Sequence, residues 1–371
     1  MASKEELALL LKRPIYLERN TYQHFYNGGK LRAEFVGDPD EGDDFYSEEW
    51  IFSTNRAVTP GRENPPDKGI SRIKVRSGDV IRITELLKAF PEETLGKKHY
   101  KKYGPTLGIL VKIFDVGAGA HIPVHWHPTP EFSKKLLKND FGKNEAWLII
   151  GKRPGGKAWV GWKEDLDPKD FKKWMDRQDV PKMRSMMHVV DPKVGDVIFL
   201  RASYVHSLGS GLCNLEPQEP TDWNILAEWK GYPFGKKDVT CGLSMDDALA
   251  AADYSKMPLD YLNNYVRRTP EKIRSEGSSR EDHLVPDEAK QFFDMTKLIV
   301  KKGISAPVPA KRGFYCAICL QGEGVAKGKF GDIPIKRGQS LFVHRSVPAF
   351  DFVKKGQRDL EMICCFPPEV K

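Results

Sequence analysis

Apolar and polar positions alternate over short stretches along most of the chain, and glycine or proline closes nearly every stretch. β-Branched and aromatic runs stand at residues 50–53, 80–83, 109–114, 146–150, 197–200, 315–320 and 341–343. Runs of this length between turn-forming residues predict strands. With 32 Gly and 26 Pro as punctuation, they predict a mainly β protein built as a sandwich or barrel. Three stretches follow the helical period instead: 130–139, 168–176, and a longer region from Ser244 to about Arg274. Ser244-Met-Asp-Asp247 opens the last of these like a capping box with Asp in place of Glu. Residues 5–11, EELALLL, read as a short amphipathic docking helix. The polar run 275–282, SEGSSRED, predicts an exposed linker.

A second level of order appears when the segment starting at Gly195 is laid against the one starting at Gly338. Phe199 then matches Phe342, Ser203 matches Ser346, and His206 meets Ala349. A strand closing on glycine precedes each copy, 146–151 in the first and one from Cys316 to Gly322-Glu-Gly324 in the second. The duplication predicts two similar β-barrels, of which only the first carries candidate metal ligands.

The chain has 371 residues, enough for two such cores without disulfide staples. Six cysteines are too few and too clustered for a disulfide framework, and no secretory h-region precedes them, so a reducing cytoplasm is expected. No run reaches bilayer-spanning length. The net charge of +8 is spread among 51 acidic residues without a basic block, which argues against nucleic acid and for a mildly positive pocket. Cys316-Ala-Ile-Cys319 has no second CxxC, and residues three apart on a strand face opposite ways; packing thiols are expected there and at Cys364-Cys365.

The strongest chemical signal is His125-Trp126-His127. Residues two apart on a strand share a face, so both imidazoles point together while Trp126 points away. Two acids lie downstream, Glu131 in a helical, proline-rich stretch and Glu145 at the start of a buried-looking strand. A strand end fixes a carboxylate better than a loop, which favours Glu145. His206, beyond the strand that starts at Asp196, can return to the same mouth, whereas His121 is expected outside the ligand set. Any one of these histidines alone reads as structural. Three together with an acid point to a divalent first-row metal with an open position.

Taken together, these residues resemble the cupin superfamily, and nearly the whole chain resembles the type I mannose-6-phosphate isomerase family. The likeness runs through Asn27-Gly-Gly-Lys-Leu31, Ser47-Glu-Glu-Trp50-Ile-Phe-Ser53, Phe141-Gly-Lys-Asn-Glu-Ala-Trp147, the Gly195 to His206 segment and Glu216-Pro-Gln218. It implies two jelly-roll barrels with helical insertions and a metal held by His125, His127, Glu145 and His206. Zinc is the family's metal. The family has glutamine where His125 stands, however, and three histidines with a glutamate also suit manganese or iron. The resemblance further implies catalytic roles for Lys143 and Glu216, and a substrate-lining role for Glu48 and Trp50. Two family features are missing. No arginine lies between Arg201 and Arg267, and Pro123 replaces a serine.

The resulting expectation is a metal-dependent aldose-ketose isomerase acting on mannose 6-phosphate or a related sugar, as a monomer or homodimer. An iron or manganese oxygenase or decarboxylase, and a non-catalytic sugar-binding relative, are the alternatives. The domains expected are 1–243 with the metal, a helical insertion and linker at 244–280, and a metal-free barrel at 281–371.

Overall fold

A computed structural model describes residues 2–39, 42–59, 61–62, 64–276, 279–301, 306–307 and 313–370. The described residues form four antiparallel sheets of nine, seven, five and four strands, none closing on itself. The mainly β expectation therefore stands, with open sheets packed face to face.

Period-two alternation explains the stacking. In the strand Glu145–Lys152 of the seven-stranded sheet, Ala146 and Leu148 face one apolar core while Trp147 and Ile149 face another. The first core is shared with Cys316, Ile318, Phe342 and Ile363 of the nine-stranded sheet. The second is shared with Ala158, Val160 and Leu208 of the five-stranded sheet. On the far side of the nine-stranded sheet, Tyr315, Ala317 and Met362 meet Ala326, Ile333 and Phe352 of the four-stranded sheet. Central strands of the two middle sheets, such as Leu110–Asp115 and Tyr315–Gln321, thus bury both faces, which is why so many of their residues are apolar in succession.

The two copies seen in the sequence occupy corresponding places. Val197–Leu200 pairs with Glu145–Lys152, and Ser340–Val343 pairs with Tyr315–Gln321. The chain does not keep its halves apart, though. Ile15–Glu18 pairs with Ser340–Val343 and, with Arg72–Lys74 and Val80–Arg82, extends the nine-stranded sheet. Arg267–Arg268 joins the edge of the seven-stranded sheet.

Two local expectations are corrected. The helical region from Ser244 to Arg274 is broken: Ser244 caps Met245–Ala250, accepting from the Asp247 amide, and the chain re-enters a helix only at Leu259–Tyr261, after Pro258. One wide turn, Leu262–Val266, then leads into strand. The described residues of the polar run 275–282 lie in paired strands, Glu271–Glu276 against Ser279–His283. Several of its charges are paired: Arg274 Nε donates to Glu281 at 2.6 Å, Thr296 donates to the same carboxylate, and His283 meets Asp294 at 2.7 Å. The helices at 130 and 168 form as expected, the first as Pro130–Phe132 followed by a π turn over Ser133–Leu137, the second as Pro168–Arg177. Cys316 and Cys365 enter one core, Cys319 and Cys364 the other, and none of the six cysteines forms a disulfide. No helix among the described residues is long and apolar enough to cross a membrane.

Candidate metal centre

Between the seven- and five-stranded sheets, the alternation that fills one end with apolar side chains carries polar ones at the other. The strand Ile122–Trp126 sends Val124 and Trp126 outward into an apolar cluster and His125 inward. His127 follows on the same side, and His206 comes across from the paired strand His206–Leu208, in register with His125. The ring centroids of His125 and His206 are 4.0 Å apart, those of His125 and His127 5.0 Å, and those of His127 and His206 4.9 Å. One ligating atom from each lies within 4.8 Å of the others.

The hydrogen bonds behind these rings define which nitrogen faces inward. Nδ1 of His125 donates to the Pro123 carbonyl at 2.7 Å, Nδ1 of His127 to Trp223 at 2.8 Å, and Nδ1 of His206 to Tyr204 at 2.8 Å. Each donation leaves Nε2 with its lone pair free, the arrangement that prepares an imidazole to bind a metal. Nε2 of His127 and of His206 are buried without a hydrogen-bond partner. Both sit 3.3 Å from the Glu145 carboxylate, one on each oxygen. Lone pairs facing carboxylate oxygens at that distance repel unless a cation lies among them. Burial holds His125 well below the ordinary imidazole range and His127 at about 3, so neither supplies that cation by protonation near neutral pH. Burial opposes the charge on Glu145, but the neighbouring Lys143 favours it, and the group is held well below the usual carboxylate range. The donor set therefore fits a divalent ion.

Glu131, the competing acid, is exposed on the Pro130–Phe132 helix, away from this cluster. His121 turns to the other side and meets Glu228 at 2.7 Å. Lys143 lies 3.5 Å from Glu145 and donates to Asn224 Oδ1 at 2.6 Å. Glu216 projects into the same cleft from the strand Leu212–Gln218. Burial and the nearby charge of Glu145 push its carboxyl up to about 8. Glu48 lines the cleft, whereas Trp50 is packed behind it with Tyr22 and Leu110 and donates to Glu48 at 2.9 Å.

Sequence reasoning missed the residue that ties these acids together. Lys112 stands in the buried strand Leu110–Asp115, with Nζ 3.4 Å from Glu216 and 3.5 Å from Glu48. Burial disfavours its charge, yet Glu216 and Glu48 raise it above the ordinary lysine range. Its signal was a lysine inside an otherwise apolar run, Leu-Val-Lys-Ile-Phe. Tyr22, His24 and Tyr26 were missed as well, although they also alternate. Tyr22 and Tyr26 donate to Glu48 at 3.0 and 2.7 Å, and His24, driven to about 4 by burial, lies 3.4 Å from it. Asp222 and Asn224 also line the cleft.

The fold and the site together define a double β-sandwich protein with, among the described residues, a buried three-histidine group that could hold a metal ion. No family model matches the chain. The chain is 23% identical to a mannose-6-phosphate isomerase of Streptococcus mutans over 360 residues, 95% of this chain and 98% of the relative. A Bacillus subtilis mannose-6-phosphate isomerase is 25% identical over 171 residues, 44% of this chain and half of that protein. The fold is shared with the solved Bacillus subtilis mannose 6-phosphate isomerase, at a TM-score of 0.70 and 18% identity over 95% of this chain and 99% of that one. A variant of Salmonella typhimurium phosphomannose isomerase superposes at 0.72 with 13% identity, covering 96% of this chain and all of the other.

Proposed function

We propose that this chain is a metal-dependent aldose-ketose isomerase of mannose 6-phosphate or a related sugar, with a site built from His125, His127, Glu145 and His206. The observation that carries the reading is the inward-facing Nε2 pair of His127 and His206, unpartnered against the Glu145 carboxylate. Whole-length similarity to isomerases of mannose 6-phosphate supports the reaction class. Zinc fits these four residues, and manganese or iron fits them as well. Such an ion would supply Lewis acidity toward the sugar oxygens as charge develops on them.

The protein's own groups account for the proton movements. Aldose-ketose exchange moves a proton between C1 and C2, which needs a group that accepts and returns it near neutral pH. Glu216, pushed up to about 8, has that character. Lys112, itself paired with Glu48, holds it in place, and Lys143, fixed by Asn224, donates to the oxygen that gains negative charge. Phe25, Phe114 and Trp147 line the cleft and exclude water from it.

In finer detail, the paired sheets read as two cupin-type jelly rolls, divided along the chain at 1–243, 244–280 and 281–371. The N-terminal strands are lent to the second sandwich. The protein would act as a cytoplasmic monomer or homodimer on a small sugar, without nucleic acid or membrane. The third histidine favours one second reading, an iron or manganese oxygenase or decarboxylase, which oxygen consumption or carbon dioxide release would reveal.

Chelation is expected to abolish interconversion of mannose and fructose forms, and added metal to restore it. His127→Ala should lose both bound metal and activity, by more than the roughly 10–100-fold typical of losing an outer partner of a metal ligand. Full activity and full metal content in that variant would sink the assignment.

A further inference from the structure

We infer that Glu219 is a positioning residue: acting through Asn144, it locks the ligand-bearing segments and the backbone of Lys143 into one arrangement. The inference rests on the metal-site and isomerase readings above and adds one residue to them.

The local structure shows why such a residue is needed. Gln218 pairs with Glu145 at the end of the ladder between Leu212–Gln218 and Glu145–Lys152. Residues 141–144 precede that ladder and lie outside any strand, so regular sheet pairing neither fixes them nor satisfies their amides. Glu219, one residue past the paired strand, does so instead. Its Oε1 accepts from the Asn144 amide at 3.0 Å and from Asn144 Nδ2 at 2.7 Å, and its Oε2 accepts from the Gly142 amide at 3.1 Å. Its own amide donates to the Asn144 carbonyl at 3.0 Å. The two residues it clamps flank Lys143. Thr221 Oγ1 adds a bond to the Gly142 carbonyl at 2.6 Å. On its other side Gly142 lies so close to the chain that a Cβ there would come within 2.6 Å of the Pro128 carbonyl oxygen. The loop is therefore gripped from both sides.

The grip extends to the ligands. Asn144 is followed directly by Glu145, and its Oδ1 accepts from the Ala202 amide at 2.9 Å. The next residue, Ser203, donates its amide to the His127 carbonyl at 2.8 Å. Ser203 has φ of 79°, in the left-handed region that disfavours a residue with a side chain, so the turn that delivers His206 depends on bonds of this kind. The Lys143 amide closes the circuit by donating to the carbonyl of Pro128, next to His127, at 3.2 Å. Among the described residues, all three side-chain hydrogen bonds of Glu219 go to this one loop. Glu219 and Asn144 are both buried, 2% and 3% exposed. A buried acid committed wholly to the amides around a ligand and a reacting lysine is what accurate placement of those groups requires.

The test uses full-length Glu219→Gln, which keeps the shape but presents an amide nitrogen that cannot accept from Gly142 or Asn144. Zinc binding to the metal-free protein, followed by calorimetry, should weaken about 10–100-fold. At saturating zinc, kcat for mannose 6-phosphate should fall about 100-fold, the effect of a misplacement near 1 Å. KM should stay within about threefold, because the loss falls on the reacting geometry. The thermal midpoint of the metal-free protein should move by no more than about 4 °C. Asn144→Ala leaves the carboxylate and its backbone bonds but cuts the link to Ala202, and it serves where Glu219→Gln does not fold; it should show the same pattern. Wild-type zinc affinity and kcat in either folded variant overturn the inference, as does a lowered midpoint with both unchanged. If wild-type protein loaded with zinc does not convert mannose 6-phosphate, the isomerase reading loses its support, while the zinc titrations still decide the role of Glu219.

Discussion

The two sandwiches share one scaffold and differ in what they point inward. Leu200 pairs with Glu145 in the first, and its counterpart Val343 pairs with Tyr315 in the second. The position that holds the Glu145 carboxylate in one copy therefore holds an aromatic ring in the other. His206 of the first likewise corresponds to Ala349 of the second. Inside the first, ionisable groups crowd the end of the cleft. Inside the second, Ala317, Met362, Phe350 and Phe352 close an apolar core. Apolar burial contributes stability roughly in proportion to area, whereas buried charge costs desolvation that its partners must offset. The difference shows that a handful of inward positions decide whether this scaffold holds chemistry or simply holds together.

Breaking that comparison most severely means removing the central cation of the first sandwich. Lys112→Met leaves the buried Glu48 carboxylate without its lysine counter-charge and Glu216 without its neighbour, a loss on the order of 3–5 kcal/mol for a broken buried pair. Thermal or denaturant unfolding should show it, together with a fall in isomerase activity of about 10²–10⁴-fold if Glu216 moves the proton. A variant as stable as wild type would mean that the two acids are solvated, and that the interiors of the two sandwiches are less different than their geometry implies.

Much of this contrast was legible in the sequence because strand alternation is local. His125 and His127 share a face by spacing alone, and the repeat placed His206 opposite Ala349 without any coordinates. The choice of Glu145 over Glu131 followed from the rigidity of a strand end, and the structure brings Glu145, not Glu131, to the imidazoles. What stayed illegible depends on pairing across sheets. Lys112 is one lysine among many until Glu48 and Glu216 are seen on the neighbouring strands. The pairing of Glu271–Glu276 with Ser279–His283 was hidden for the same reason, since charges that neutralise one another in a sheet read as solvent-loving in a string. The break before Leu259 had a local sign in Pro258, but the switch to strand at Arg267 is imposed by its pairing with Val197–Ile198.

A gentler break uses pH. Burial and the charge of Glu145 raise Glu216 from the ordinary 4.5 to about 8. The folded state thus holds this proton more tightly than the unfolded chain does. Its contribution to stability is complete below about pH 4.5 and is lost as pH rises toward 8. Metal-free wild type should therefore lose on the order of a few kcal/mol across that window, and Glu216→Gln should lose less. A divalent ion against Glu145 would weaken the second cause and shrink the effect. Unfolding followed at several pH values, with and without metal, checks both statements, and parallel pH profiles for the two proteins would refute the assignment of a raised carboxyl. No such dependence is expected from the apolar interior of the second sandwich.

The smallest effect is expected where the second sandwich keeps a polar trace. The Tyr315 hydroxyl is buried with no hydrogen-bond partner, and its ring packs 5.0 Å from that of Phe366. A buried hydroxyl left unpaired costs free energy that an apolar replacement of the same shape does not. Tyr315→Phe should accordingly be neutral or stabilise the protein by up to about 1 kcal/mol, a rise in Tm of a few degrees at most, with unchanged activity. A loss of more than about 1 kcal/mol would show that the hydroxyl is bonded after all. The position equivalent to Glu145 would then still serve a polar partner, and the line drawn between a working interior and a packed one would have to move.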